Sequence, residues 1–143
     1  IGMATTADAE VMMKLYDLRR EESLRRARRF MVFDFNPKTL EELRAVSRDT
    51  KSDKNVFWRQ TLGYWEMAAS LALRGAVDPD LFLDSSGEGI LLYAKFHHFH
   101  EETEKQSGNP FMRNTAALIA KYPAAQRLHE VFLKTFGPAV ATA

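Results

Sequence analysis

The chemically most suggestive segment of the 143-residue sequence runs from His97 to Glu104 and combines three histidines with three glutamates. If the segment is helical, His97 and Glu101 lie four residues apart, as do His100 and Glu104, so both pairs share one face. Imidazole and carboxylate groups are suitable ligands for zinc, manganese or non-haem iron. The pattern therefore indicates a candidate site for a divalent transition metal at His97, His100, Glu101 and Glu104.

This metal hypothesis lacks a second set of ligands. Helical di-metal sites take Glu-x-x-His motifs from facing helices, and no glutamate stands three residues before any of the four histidines. His129 with Glu130, or Glu66, could complete a site only by packing against the segment. The competing interpretation is that His97 and His100 lie at an interface and form ion pairs with the nearby glutamates, and this interpretation needs no cofactor.

Six arginines lie between Arg19 and Arg29, and the guanidinium fork of arginine suits phosphate groups. Nucleic acid or another anion is therefore a third candidate ligand. However, the arginines are distributed around the predicted helix, Glu21 and Glu22 dilute their charge, and no recognition-helix or RNA-binding signature accompanies them. Solvated arginines that pair with nearby carboxylates are the favoured interpretation, which disfavours nucleic acid as a partner.

Two further patterns have simple structural interpretations. Glu66 lies beside two tryptophans and could be a general acid of raised pKa, but Arg59 lies on the same polar strip, and a structural ion pair or simple exposure is the favoured interpretation. The segment Ser85 to Gly89 resembles a phosphate-binding loop without its lysine, and we interpret it as a turn with a capping box. The sequence has no cysteine, and no Ser-His-acid order is present. No catalytic residue is assigned.

The periodicity of the apolar residues predicts an all-α fold. No stretch shows sustained two-residue alternation, and no repeat of fixed period is present. With 45% apolar residues the chain can fill one hydrophobic core. We therefore expect a single-domain bundle of about six or seven helices over residues 1–143, with flexible tails at residues 1–6 and 138–143.

Two helices define the expected architecture. The first is long, from about Ala7 to Asp34, and its polar segment Arg19 to Ser23 is expected to bend or to bridge solvent. The second is an aromatic-rich central helix that carries Trp58 and Trp65 on its apolar stripe and ends at Gly75. Further helices are predicted from Thr39 to Val46, from Pro79, from Ser85 to Gln106, from Asn109, and from Pro123 to Phe136.

Four segments of the chain resemble a group of short, all-helical bacterial proteins classed only as a domain of unknown function. The segments are KLYDLRREESLRRARRF, YWEMAASLALRGAVDPDLFLD, GEGILLYAKFHHF and NPFMRNTAALI. The matching positions are mostly core aromatic residues, small residues and helix stops, and they span nearly the whole chain. The resemblance implies a helical fold in a bacterial protein, and it transfers no active site, cofactor or ligand.

The composition does not point to a charged partner. Lysine and arginine number 20 against 19 aspartates and glutamates, so no global field favours nucleic acid or a membrane surface. No run of about 18 apolar residues predicts a membrane span, and the lack of cysteine suits a cytoplasmic location. Most distinctive residues are aromatic or small. We therefore expect a non-catalytic interaction module that binds a protein partner or forms a homodimer, with metal binding as the alternative.

Overall fold

The computed structural model describes residues 2–137, and within this range the chain is all-helical. The predicted tail at 138–143 lies outside the described residues. A π-helical turn spans Phe30–Asp34, and a 3-10 turn spans His97–Phe99. The nine α-helices described are α1 Thr6–Arg19, α2 Glu22–Arg29, α3 Leu40–Ser47, α4 Asp53–Leu73, α5 Pro79–Ser85, α6 Glu88–Lys95, α7 His100–Ser107, α8 Arg113–Lys121 and α9 Pro123–Phe136. The all-α prediction is confirmed, and two of the predicted helices are divided.

The long first helix predicted from Ala7 to Asp34 is interrupted after Arg19, and this corrects the prediction. The Glu21 side chain accepts a hydrogen bond from the backbone N of Leu24 at 2.9 Å, and so caps the start of α2. Arg28 Nη1 donates to the carbonyl oxygen of Arg19 at 3.3 Å, which satisfies a carbonyl at the end of α1. The polar segment that the sequence marks as a bend is therefore a helix boundary.

A π-helical turn follows α2 directly. Its backbone widens because the N–H of Phe35 donates to the carbonyl oxygen of Phe30, five residues back, at 2.8 Å. Lys95 of α6 donates from Nζ to the carbonyl oxygens of Met31 and Val32 at 2.8 and 3.0 Å. These bonds satisfy carbonyl groups where the helix ends. Lys95 is only 8% exposed, so its charged end is used inside the fold.

The central helix α4 supplies the middle of the core, as predicted. Trp65 and Trp58 are 2% and 9% exposed. Three other aromatic rings surround Trp58, with centroids 6.2, 5.5 and 5.9 Å from its ring, and they belong to Phe35, Phe96 and Phe111. Their edge-on and tilted orientations are the favourable ones for aromatic pairs. This cluster joins the π-helical turn, α4 and the segment before α8.

The single helix predicted from Ser85 to Gln106 is also divided. α6 ends at Lys95, and the 3-10 turn separates it from α7. Phe96 is 1% exposed and Phe99 is 8% exposed. A 3-10 turn has three residues per turn, so it directs residues three apart to the same side. We infer that the burial of both phenylalanines favours this tighter winding.

Candidate functional site

Three of the four predicted metal ligands, His100, Glu101 and Glu104, lie in α7. His97 lies outside α7, in the 3-10 turn, so the four ligands do not share one face of a continuous helix. The side chain of Glu101 is 80% exposed, and its Oε1 lies 3.3 Å from Lys105 Nζ. Within residues 2–137, no group of three or more histidine, aspartate or glutamate side chains is arranged to hold a metal ion. Metal binding at His97, His100, Glu101 and Glu104 stays a prediction.

Two histidines instead pack against Tyr93. The ring centroids of His100 and His129 lie 4.2 and 5.3 Å from that of Tyr93, so the structure does bring α9 to this segment. The Nε2 atom of each imidazole is buried without a hydrogen-bond partner among the described residues. Burial lowers the pKa of His100 to about 4, and the nearby His97 imidazole acts in the same direction. Burial also lowers the pKa of His129, so both imidazoles are neutral at pH 7.

A half-buried ion pair joins α2 to α6. Glu88 accepts hydrogen bonds from Arg28 Nε at 2.8 Å, from Arg28 Nη2 at 3.0 Å and from Trp65 Nε1 at 2.8 Å. The two-pronged contact is the strong geometry for an arginine and a carboxylate, and it raises the pKa of Arg28. The capping box predicted at Ser85 to Gly89 is therefore wrong. Gly87 is the N-cap of α6, no side chain caps it, and the glutamate points to the core.

Glu66 of α4 caps the start of another helix, α8. Its Oε1 accepts a hydrogen bond from the backbone N of Asn114 at 2.8 Å. Its Oε2 accepts from the backbone N and the Oγ1 of Thr115 at 2.9 and 2.7 Å. The helix predicted at Asn109 begins later, after Met112, whose backbone has a φ of 47° and whose side chain supplies no cap. The carboxylate therefore satisfies the free N–H groups of α8, a structural role rather than a general acid.

Sequence reasoning missed Asn55, although its position carries a signal. Asn55 is 0% exposed, and it precedes Trp58 by three residues, so it extends the apolar stripe of α4 with a polar side chain. Its Nδ2 donates to the carbonyl oxygen of Val46 at 2.8 Å, and its Oδ1 accepts from Arg59 Nε at 2.7 Å. Arg59 is thus bonded to Asn55, so the ion pair between Arg59 and Glu66, one of the two interpretations of the sequence, does not form.

Part of the basic segment is used within the fold. Arg19 Nη1 donates to the carbonyl oxygen of Ser85 at 3.1 Å, which ties α1 to the end of α5. Arg28 forms the pair with Glu88. The guanidinium carbon of Arg20 lies 5.7 Å from the ring centroid of Tyr16. Of these three arginines, only Arg28 pairs with a carboxylate, as the favoured interpretation of the sequence expects.

The other three arginines converge on one face of α2. Arg25, Arg26 and Arg29 are exposed, and together with Phe33 of the π-helical turn they form what we call the arginine surface. These residues line an open cleft of about 420 Å³ between α2 and the start of α6. Phe33 is 67% exposed. The expectation that the arginines scatter around the helix is therefore wrong for this half of the segment.

No helix among residues 2–137 is long and apolar enough to cross a membrane. The fold and these contacts define an all-helical domain whose helices are joined by polar side chains. The chain belongs to the family described as Domain of unknown function (DUF4760), which matches residues 4–122 and so covers α1 to α8. This confirms the resemblance, while the bacterial origin that it implied stays a prediction. No curated protein and no solved structure matches the chain.

Proposed function

We propose that this domain is a non-catalytic binding module that docks onto another protein through the arginine surface. The observation that carries the proposal is the exposure of Phe33, 67%, beside three exposed arginines on the same cleft. Aromatic residues and arginine are enriched at protein interfaces and dominate their binding energy. Covering the Phe33 ring would contribute roughly 1.5–3 kcal/mol.

The charge of the arginine surface selects the kind of partner. Arg25, Arg26 and Arg29 carry three positive charges, and Glu22 is the exposed acid on the same cleft. A two-fold homodimer would place this surface against its own copy and bring like charges together. An acidic surface on a different protein would satisfy the guanidinium groups. We therefore infer an acidic protein partner rather than self-association through this surface.

Three ionisable side chains at helix contacts have structural roles, which supports a binding function over an enzymatic one. Glu66, Glu88 and Lys95 each make hydrogen bonds that join two elements of the fold. A proton donor or nucleophile has to exchange partners during a reaction, and these groups would lose their contacts in doing so. Their chemistry therefore supports the packing of the helices.

Photo-crosslinking in cells of the source organism tests this proposal. Phe33 is replaced by the photoreactive p-benzoylphenylalanine, and the same probe at Val131 of α9 gives a control at a position that is 57% exposed. We expect a discrete cross-linked species of heterologous mass from position 33. Double reversal, Arg25→Glu with Arg29→Glu, should abolish it if the partner is acidic.

The chain offers a matched control for the charge reversal. Arg29 and Phe33 are four residues apart, and Arg127 and Val131 of α9 repeat this spacing on an exposed face. Arg127→Glu should leave the cross-link unchanged. Equal cross-linking from both probe positions, or a cross-link that survives reversal at Arg25 and Arg29, would contradict the proposal. A species of twice the mass of the chain would assign the surface to a homodimer instead.

Metal binding is the second candidate function. The buried Nε2 atoms of His100 and His129 favour it, because zinc and similar metals take neutral imidazole nitrogen as a ligand. Elemental analysis of protein purified without an affinity tag decides the question. Stoichiometric metal that is lost in His97→Ala and His100→Ala would support the site. Sub-stoichiometric metal that His97→Ala leaves unchanged would exclude it.

Binding of nucleic acid or another phosphate anion is the third candidate, through the same arginine surface. It predicts an affinity that falls steeply between about 50 and 200 mM salt. Fluorescence anisotropy with a labelled oligonucleotide measures this affinity directly, and absence of binding at the lower salt concentration excludes nucleic acid as a ligand.

A cytoplasmic location also stays a prediction from the cysteine-free sequence.

A further inference from the structure

A second cleft lies where α3, α4 and α7 meet, and it shares no lining residue with the arginine surface. Its volume is about 350 Å³, inside the range of about 300–1,000 Å³ that small-molecule sites occupy. Leu43, Trp58 and Phe111 give it an apolar lining, and Arg44, Arg48 and Thr103 are among its polar residues. The ten residues that line the cleft include no carboxylate. Its charge is therefore complementary to an anion.

Arg44, which lines the cleft, has a guanidinium N–H group without an acceptor among the described residues. Its Nη2 atom is buried and has no hydrogen-bond partner among the described residues. A buried donor without a partner destabilises the fold, and it does so more strongly when the group is charged. A carboxylate matches the planar guanidinium fork better than any neutral acceptor. Arg48 is already engaged, because its Nη2 donates to Gln106 Oε1.

The apolar lining of the cleft indicates the rest of the ligand. Trp58 is 9% exposed and Leu43 is 4% exposed, so this side of the cleft belongs to the core. The ring centroids of Trp58 and Phe111 lie 5.9 Å apart at an angle of 42°. A flat apolar group can pack against such rings. A polyphosphate or a nucleic-acid backbone would leave this surface without a partner.

We propose that the cleft binds a small monocarboxylate with a flat apolar body. The carboxylate accepts hydrogen bonds from Arg44, and the apolar body packs against Trp58 and Phe111. The concave shape and the core position of the apolar lining favour a small molecule over a protein surface. The site is independent of the arginine surface, so either proposal can fail without the other.

Phenylacetate is the probe, and phenylacetamide is its uncharged counterpart of the same shape. The chain has two tryptophans, so its proton–nitrogen NMR spectrum has two indole N–H signals. The signal that disappears in Trp58→Phe is assigned to Trp58. Titration with phenylacetate should shift the Trp58 signal in a saturable way and leave the Trp65 signal in place. Phenylacetamide should bind at least ~10-fold more weakly, because it cannot form the charged pair.

Three variants complete the test. Arg44→Gln should weaken phenylacetate binding by at least ~10-fold and leave phenylacetamide binding unchanged. Thr103→Phe places a ring in the cleft and should abolish binding of both probes. Arg25→Gln, on the arginine surface, should leave both affinities unchanged, which separates this site from the proposed docking surface.

Three results would overturn the proposal. One is a Trp58 signal that does not move at tens of millimolar phenylacetate. Another is equal affinity for phenylacetate and phenylacetamide in the unmodified protein, a comparison that needs no variant to fold. The last is binding that persists in Thr103→Phe, since the ligand would then lie elsewhere.

Discussion

Thr115 donates two hydrogen bonds to one carboxylate oxygen of Glu66, from its backbone N at 2.9 Å and from its Oγ1 at 2.7 Å. The two residues are 49 positions apart, and Thr115 is 1% exposed. α8 has no capping side chain of its own. One carboxylate of the central helix therefore fixes both the start of α8 and its position on the core.

Replacing this carboxylate should destabilise the domain. Glu66→Ala removes the acceptor of three hydrogen bonds and leaves the first N–H groups of α8 without partners, so we expect a loss of about 1–3 kcal/mol in the free energy of unfolding. Urea denaturation measures it. Glu130→Ala, at an exposed position of α9, is the control and should change stability by less than about 0.5 kcal/mol. Equal effects of the two substitutions would rule out the capping role.

The pair between Arg28 and Glu88 should show strong energetic coupling. Arg28→Met or Glu88→Met alone leaves the other charge half-buried without its partner, with an expected cost of about 2 kcal/mol or more. The double variant should lose less than the sum of the two, because it leaves no charge behind. A double-mutant cycle by chemical denaturation measures the coupling. Additive effects would mean that the pair contributes little.

Two glycines should respond to alanine in opposite directions. A Cβ atom at Gly89 of α6 would lie 3.2 Å from Trp65 Cβ of α4, so the two groups must separate by a few tenths of an ångström in Gly89→Ala, and we expect a cost of about 1–3 kcal/mol. A Cβ atom at Gly63 meets nothing within 4 Å, and Gly63 lies inside α4. Gly63→Ala should therefore stabilise the protein by up to about 1 kcal/mol through helix propensity. Thermal unfolding shows whether each variant is stabilised or destabilised. A stabilised Gly89→Ala variant would contradict the packing described.

Stability should fall on mild acidification because of His100. Its pKa is about 4 in the folded state, below the usual 6.5, so between these two values the unfolded chain binds more protons. The contribution of His100 to the free energy of unfolding therefore rises as the pH increases from about 4 to 6.5, and it is constant above pH 6.5. His129, His98 and His97 also border the segment, and burial lowers the pKa of the first two in the same sense.

His100→Phe tests this assignment. The variant keeps an aromatic ring against Tyr93 and removes the titrating group, so roughly 2 kcal/mol of the stability difference between pH 7 and pH 4.5 should disappear. Denaturation curves at the two pH values measure the difference. His98→Phe, at an exposed position, should remove much less. An unchanged pH dependence in His100→Phe would show that the imidazole is hydrated in the folded state.

Local signals in the sequence are sufficient to predict most of the helices. The stripe of α4 is visible because Trp58 and Trp65 repeat at helical spacing, and both are buried. Gly75 is predicted as a helix stop and has a φ of 80°, which suits glycine. Such features depend only on residues within one or two turns of each other. They can therefore be recognised without knowledge of the packing.

The divisions of the helices and the two clefts depend on contacts between distant segments. Arg28 and Glu88 are 60 positions apart, and Arg19 and Ser85 are 66 apart. Helical periodicity carries no information about such pairs, so the sequence predicts the break after Arg19 only as a bend. The cleft beside Arg44 is assembled from three helices and the segment before α8, and no local motif marks it. The four-residue spacing of His97 and Glu101 assumes a continuous helix, but the 3-10 turn interrupts it, and only the pair His100 and Glu104 lies within one helix.

The π-helical turn keeps an extra residue in the chain without redirecting the residues that follow it. Phe35 bonds to the carbonyl of Phe30, so the turn holds one residue more than an α-helical turn would. Both kinds of turn bring the chain about once around the helix axis, so deleting a single residue, such as Val32, would restore ordinary winding and leave Phe35 facing Trp58. The deletion would instead displace the carbonyl groups of Met31 and Val32, which accept hydrogen bonds from Lys95. A chain shortened by one residue here should therefore keep its aromatic cluster and lose the anchoring of Lys95.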